Sequence, residues 1–472
     1  MEPHFFKMGV KCIGPEHPEP QQPVVTCSLY LIIRRNSTGK GTLADSDRHC
    51  YNVAVIQISG KNPGMVNFMK TIAVVGGGAS GLAAALTAAE KPGRSVILLE
   101  RQQRVGRKLL STGNGRCNLS NTRTGLCHYH GASPDFAAAA LDRFPPAETL
   151  TWFRQLGLLT VEEYGGRIYP MSQSANSVVD ILRFACSRAG VELRTSAAVE
   201  SIIRQGDRFL LSFGEEKLSA DRVIIACGGA AGGKLGGVRD GYTLLSSLGH
   251  SRTGLFPALV QLTLDSEYPR ALKGVRADAA VRVDTLDRIL SESHGELQFT
   301  EKGVSGPAVF DVSRAVSTQG TKKIRFHANF FPGFARQEIV TMLRDKCLRY
   351  PELESAELFT GLLHNRLGRM LVRFAGLDAH VPLADLSEES CRRAVSAACD
   401  FCQPVRGTEN FDSAQVTAGG IRTSEFDPHT MESRLVPGLF ACGEVLDIDG
   451  DCGGYNLQWA WSSGRVAGRL GE

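Results

Sequence analysis

The run Thr71-Ile72-Ala73-Val74-Val75, followed by Gly76-Gly77-Gly78-Ala79-Ser80-Gly81, sets G-x-G-x-x-G at the point where a buried strand turns into a helix. In that position Gly76 permits the tight turn, Gly78 lets the backbone approach a pyrophosphate, and Gly81 lets the helix pack against the strand. The helix predicted from Leu82 to Glu90 aims its unpaired N–H groups and positive dipole end at the phosphates. A second apolar strand, Ser95 to Leu99, ends on Glu100, 19 residues beyond Gly81. A carboxylate there accepts hydrogen bonds from ribose hydroxyls and repels a 2′-phosphate, so the bound adenosine is expected to belong to FAD or NAD rather than NADP.

The next segment chooses between those two. After Glu100 the chain reads Arg101-Gln102-Gln103-Arg104-Val105-Gly106-Arg107-Lys108 and then Ser111-Thr112-Gly113-Asn114-Gly115-Arg116-Cys117-Asn118. A small NAD domain would continue directly into another helix and strand, whereas a loop rich in Gly and Arg can wrap an elongated pyrophosphate and ribitol; non-covalent FAD is expected. Far downstream, Gly438-Leu439-Phe440-Ala441-Cys442-Gly443-Glu444 reads as an apolar strand ending in a Gly-acid pair suited to ribitol hydroxyls. Beyond it, Asp449-Gly450-Asp451-Cys452-Gly453-Gly454-Tyr455-Asn456-Leu457-Gln458 leads into a helix with apolar or small residues at 457, 460, 461, 464, 467 and 468. Its free N–H groups could face the pyrimidine end of a flavin, where negative charge collects on reduction.

With 472 residues and 43% hydrophobic content the chain can hold two or three packed domains. A net charge of +4 from 53 basic and 49 acidic residues contains no long basic run, so nucleic acid is not expected as a partner, and neither is a membrane. Among 13 cysteines, Cys186, Cys227 and Cys442 lie in apolar or glycine-rich runs and read as small core residues, which points to a reducing, cytoplasmic setting. Cys399-Asp400-Phe401-Cys402 is a lone C-x-x-C with no second pair, so no metal is assigned. Residues 1–64 show neither the 3.6 nor the 2 period, Val24 to Ile33 is too short to span a bilayer, and this segment is expected to be a disordered extension. The FAD-binding domain is assigned to 65–256 and 411–472. A β-barrel or meander is assigned to 257–331 and 403–416, with Asn410 to Val416 closing it, and a helical part to 332–402.

The stretches Val74 to Gly81, Val105 to Asn121, Arg167 to Ile181, Val223 to Gly229, Phe299 to Pro307, Val416 to Ile421 and Gly438 to Gly468 resemble the BaiN/RdsA-type FAD-binding flavoproteins, also called the aminoacetone oxidase family. The resemblance runs from about Met69 to the end of the chain, and its most specific blocks are Gly113 to Asn118 and Gly453 to Ala460. It implies an α/β fold: a Rossmann-like FAD domain of glutathione-reductase type, interrupted by a β-barrel and helices. The residues expected to touch the cofactor are Gly76, Gly78, Ala79, Ser80, Gly81, Glu100, Arg101, Gly106, Arg107, Lys108, Thr112, Gly113, Gly115, Arg116, Cys117, Asn118, Val199, Gly228, Gly229, Gly443, Glu444, Gly454, Asn456, Leu457 and Gln458.

The activity implied is that of an FAD-dependent oxidoreductase acting on CH–CH groups, using NADH or NADPH to reduce an activated double bond such as that of a conjugated 3-oxo bile acid. An amine oxidase producing hydrogen peroxide, and a flavin-carrying RNA-associated or assembly protein, remain as alternatives. Only one full nucleotide fingerprint is present, because Gly228-Gly229-Ala230-Ala231-Gly232-Gly233 lacks an acidic ribose ligand; a nicotinamide would therefore dock transiently. Tyr169 and Tyr455 are candidate proton donors or carbonyl polarisers; Tyr164, Arg167 and Tyr169 lie in a segment rich in turn residues, and Tyr455, Trp459 and Trp461 are expected to flank the flavin edge. Glu301 stands where many relatives carry histidine, and is either a proton donor or structural. Arg116 could lower the Cys117 thiol pKa, although packing is the better account of that residue. Deleting residues 1–64 is expected to leave flavin content and turnover unchanged; loss of either, measured by absorbance and steady-state rate, would assign that segment a role in the enzyme.

Overall fold

A computed structural model describes residues 69–320 and 323–472; the segment assigned above as an extension lies outside them. Five parallel strands form the central sheet in the order Leu439–Ala441, Arg222–Ile225, Lys70–Val75, Arg94–Leu99 and Glu192–Arg194. Val75 pairs with Leu99 on one side and Ile225 on the other, so the glycine turn leaves the carboxyl end of the middle strand. Ile72, Ala73 and Val74 are fully buried, as a parallel sheet covered on both faces requires.

The helix Ala79–Ala89 follows that turn and packs against the C-terminal helix Tyr455–Gly468. Their approach is set by two glycines: a Cβ on Gly464 would meet the Ser80 carbonyl oxygen at 2.4 Å, and one on Gly468 the Ala84 oxygen at 2.4 Å. Behind this contact Trp461 is fully buried and donates its indole N–H to the Leu119 carbonyl at 2.9 Å. The C-terminal helix is thereby keyed to the long loop that follows Glu100.

The chain leaves this domain at Phe256–Ala258 and returns at Val416–Ala418, and the two segments pair antiparallel. Between them lies a closed six-stranded barrel in the order Leu262–Leu264, Gly303–Ser305, Ile289–Phe299, Arg276–Asp284, Ile324–Asn329 and Phe401–Thr408. The expectation that Asn410 to Val416 closes the barrel is corrected: Phe401–Thr408 closes it, pairing with Ile324–Asn329 on one side and Leu262–Leu264 on the other. Pro404 and Gly407 lie inside this strand, and both read in sequence as breakers rather than strand residues. The helices Arg336–Arg349, Asn365–Phe374 and Glu388–Cys399 share a second hydrophobic core with the barrel, containing Val281, Phe299, Phe326 and Phe401.

A further helix, Pro307–Ser317, packs on the barrel and carries Asp311 and Arg314 towards segment 449–452 of the domain built on the central sheet. No helix among the described residues is long and apolar enough to cross a membrane. Replacing Gly464 by alanine should cost about 1–3 kcal/mol, the usual scale for overpacking a tight contact. The check is a lowered denaturation midpoint at unchanged secondary structure; an unaltered midpoint would contradict the close approach of the two helices.

Candidate active site

Gly76 sits at φ +108°, and a Cβ there would lie 2.4 Å from the Ala226 carbonyl oxygen; a Cβ on Gly81 would lie 1.8 Å from the oxygen of Gly76. Both glycines are required by backbone approach. Nothing lies within 4 Å of the Cβ position of Gly78, so its backbone is open to a ligand. Glu100 ends the second strand nearly buried: its Oε2 accepts from the Gly77 N–H at 2.7 Å and its Oε1 from the Gln102 N–H at 2.7 Å. These charge-assisted bonds fix the carboxylate at the mouth of the turn.

From this turn a cleft of about 610 Å³ runs between the flavin-type domain and the barrel. Its middle is held by Lys108, whose Nζ lies 2.8 Å from Glu444 Oε2, while Glu444 Oε1 accepts from the Thr417 N–H at 2.9 Å. Its far end is the Gly453-Gly454 start of the C-terminal helix, with Gly454 at φ +104°. Arg276, Glu296, Gln298, Ser305 and Phe310 form the wall supplied by the barrel and its helix. Two buried polar atoms of cleft residues, Asn118 Oδ1 and Trp459 Nε1, have no hydrogen-bond partner within the protein. An unpaired buried donor and acceptor are costly unless a ligand satisfies them. With the open cradle at Gly78, they make the cleft fit an elongated dinucleotide.

Of the residues expected to touch a cofactor, Gly76, Gly78, Ala79, Ser80, Glu100, Arg101, Gly106, Arg107, Lys108, Thr112, Gly113, Arg116, Asn118, Val199, Gly228, Gly229, Glu444, Gly454, Asn456 and Leu457 all line the cleft. Gly81, Gly115, Cys117, Gly443 and Gln458 do not, and each has a local reason. Gly81 is occupied by its approach to Gly76, and Gly443 by its approach to Ser80, whose Oγ would lie 2.5 Å from a Cβ there. Gly115, at φ +83°, serves the turn of the loop. Gln458 is fully buried and ties the helix to Ser120, Phe144 and Thr149. Cys117 is fully buried, and burial pushes its thiol up to about 12, the opposite of an activated thiolate.

The candidate proton donors separate in the same way. Tyr169 lines the cleft with the Arg116 guanidinium 4.0 Å above its ring. Burial raises its phenol pKa against the pull of Arg116 and Arg167, so the hydroxyl keeps its proton. Tyr455 lies outside the cleft: its ring stacks on His128 at 4.2 Å and its carbonyl accepts from the Tyr129 hydroxyl. Glu301 is corrected from catalytic candidate to surface residue, because its side chain is 59% exposed and bonds Lys273 at 2.9 Å. Arg167 and Trp459 line the cleft, Trp461 is internal, and Tyr164 is 94% exposed at the hairpin turn between Thr160–Glu163 and Arg167–Pro170.

The barrel wall and Asp451 were missed by sequence reasoning, although Asp451 stands inside a motif that was quoted. Alternation along Arg276–Asp284 and Ile289–Phe299 could have split inward from outward positions, but nothing in it says which outward residues meet the cleft.

A family model described as "HI0933-like protein Rossmann domain" matches residues 70–470. The 3-dehydro-bile acid delta(4,6)-reductase of Clostridium scindens is 38% identical over 405 residues, covering 85% of this chain and 98% of that protein. The ribosomal RNA dihydrouridine synthase of Escherichia coli is 30% identical over 394 residues, covering 83% of this chain and 95% of that protein. Among solved structures, the 3-ketosteroid delta1-dehydrogenase from Sterolibacterium denitrificans, in complex with 1,4-androstadiene-3,17-dione, aligns with a TM-score of 0.46 at 14% identity, covering 85% of this chain and 99% of that one. Glu301→Gln is expected to leave kcat and flavin content within about twofold of the parent; a tenfold fall in kcat would return this residue to the catalytic set.

Proposed function

The chain belongs to the HI0933-like Rossmann-domain family and is a flavoprotein oxidoreductase, and from that premise we propose that it reduces a carbon–carbon double bond conjugated to a carbonyl, with a 3-oxo steroid or bile-acid-like enone as substrate and NADH or NADPH as the transient electron source. The observation that carries this reading is the 38% identity extending over nearly the whole of a bile-acid reductase. The chemistry agrees across relatives: a dihydrouridine synthase saturates the 5,6 bond of uracil, which is conjugated to the 4-carbonyl, so both named activities add a hydride and a proton across a polarised double bond.

FAD, when bound, supplies the hydride acceptor and donor at N5 of its ring system. Glu100 would hold the adenosine ribose, and the Gly76–Ser80 backbone with Arg107 and Lys108 the pyrophosphate. Glu444 would face the ribitol, and the N-terminus of the 14-residue last helix the pyrimidine end. Asn118 and Trp459 would satisfy their free polar atoms on the same cofactor. Tyr169 would donate its hydroxyl proton as a hydrogen bond to the substrate carbonyl, and Arg116 above its ring holds the phenol in place. The barrel wall excludes water from that end of the cleft and supplies the residues that choose the substrate. With one nucleotide fingerprint in the chain, the nicotinamide occupies the substrate's place and leaves before it, a ping-pong order. A small-molecule substrate and a cytoplasmic setting complete this reading.

The E. coli relative favours a second reading, in which the reduced base is a uridine of RNA. Stopped-flow absorbance separates the two: NADH or NADPH should bleach the flavin, and an oxo-steroid enone should restore its colour faster than air does. Restoration by uridine-containing ribosomal RNA alone would favour the second reading, restoration by air alone would favour an oxidase, and failure of either nicotinamide to bleach the flavin would overturn the reductase. In the same assay Tyr169→Phe should slow reoxidation by enone by about a hundredfold, within the usual range for a general acid–base or polarising group; an unchanged rate would remove Tyr169 from that role.

A further inference from the structure

Asp451 lines the cleft at the Gly453 end, and its carboxylate bridges two imidazoles: Oδ1 lies 2.6 Å from His130 Nε2 and Oδ2 lies 2.9 Å from His128 Nδ1. Both histidine side chains are about one-third exposed, at 34% and 30%, whereas Asp451 is 26% exposed. Exchangeable protons therefore connect two part-exposed imidazoles to the carboxylate of a residue that lines the cleft. Nothing in the binding of a dinucleotide needs two histidines behind one carboxylate.

We propose that Asp451, His128 and His130 form the route that delivers the proton of the reduction to the carbon α to the substrate carbonyl. The inference rests on the double-bond reductase reading above. Hydride carries its electron pair to the β-carbon, and the former π pair moves to the α-carbon and carbonyl oxygen as an enolate. Asp451 accepts a proton from His130 at Oδ1 and hands it to the α-carbon, where a C–H bond forms as the O–H bond breaks. Water then reprotonates the imidazole. One hydride from the reduced nicotinamide and one proton from solvent balance each turnover.

The electrostatics keep Asp451 ionised and facing imidazole donors. Burial pushes the Asp451 carboxyl up, but the hydrogen bonds from His130 and His128 outweigh it and hold the group below its ordinary value. Histidine is the side chain suited to exchanging protons with water near neutral pH. The other titratable groups that interact with Asp451 are Asp311, Cys452, Tyr129 and Tyr455, while Arg167 acts on Asp311 and Cys452, and His130 acts on Asp449. Of these, Cys452 is pushed up to about 12 by burial and stays neutral. Asp311 is pushed up to about 6, also by burial, and would add its own titration to a rate profile. Its partners are the Cys452 N–H and the Ser293 hydroxyl, and Asp311→Asn removes its titration from the rate profile.

The test is stopped flow on the flavin-loaded protein, reading bleaching by nicotinamide and reoxidation by enone separately from pH 5.5 to about 9. In the parent, reoxidation should slow as pH rises, because the delivered proton becomes scarcer. Asp451→Asn should keep flavin content and bleaching within about twofold, slow reoxidation at least tenfold, and flatten that pH dependence. If Asp451→Asn does not hold flavin, the double variant His128→Gln/His130→Gln carries the same test, since neither histidine lines the cleft. Parent-like reoxidation with a parent-like pH profile in the variant that holds flavin overturns the route. A parent protein that no conjugated carbonyl reoxidises overturns the reductase reading instead, so the two failures are distinct.

Discussion

Asp449 carries a carboxylate that is only 2% exposed, and Arg314 Nε reaches it from the barrel helix at 2.7 Å. Burial raises the Asp449 pKa and Arg314 pulls it back, so the charge is tolerated there only while the barrel is seated. One turn earlier on the same helix, Asp311 accepts the Cys452 N–H at 2.8 Å. These two ties fasten the insert, which has its own hydrophobic core, to the four residues that precede Gly453 and Gly454. Without them the cleft would lack its second wall. The loop that opens the last helix would also lose the partner that aims it.

The seated loop explains why the cleft has two chemical ends. At one end glycine backbone, Glu100 and basic side chains suit a charged nucleotide. At the other, Tyr169, Arg167, Asp451 and the barrel wall surround a space lined by polar side chains. A redox cofactor spanning the two would put its reactive ring against a wall whose residues come from the insert.

How much of this could be read from the chain depended on whether a residue's role is local. The Gly76, Gly78 and Gly81 turn, Glu100 at a strand end and the Gly113 to Asn118 loop are specified by backbone geometry over a few residues, and Gly76, Gly78, Glu100, Gly113, Arg116 and Asn118 of the cleft lining come from them. The C-terminal helix was legible as a helix but not in its phase. Asn456, Leu457, Trp459 and Ala460 face the cleft while Tyr455 and Gln458 face inward, and that rotation is set by the left-handed Gly454 and by the packing of Gly464 on Ser80. Glu301 became a candidate because it stands where many relatives carry histidine, yet the Thr300 N–H bond to the Gly303 carbonyl folds the turn's tip outward beside Lys273. The closing barrel strand was hidden by Pro404 and Gly407, since closure depends on partners far away in sequence. Arg276, Glu296 and Gln298 carry no motif at all; only the seating of the barrel brings them to the cleft.

The central claim is that this cleft is the bed of one non-covalent FAD, and titration of cofactor-stripped protein with FAD, followed by quenching of flavin fluorescence, tests it most directly. The account predicts saturable binding of one FAD per chain, recovery of a flavin absorbance spectrum in the protein fraction, and release of the intact dinucleotide on denaturation. A protein that stays colourless after reconstitution, with no quenching at any FAD concentration, would contradict it.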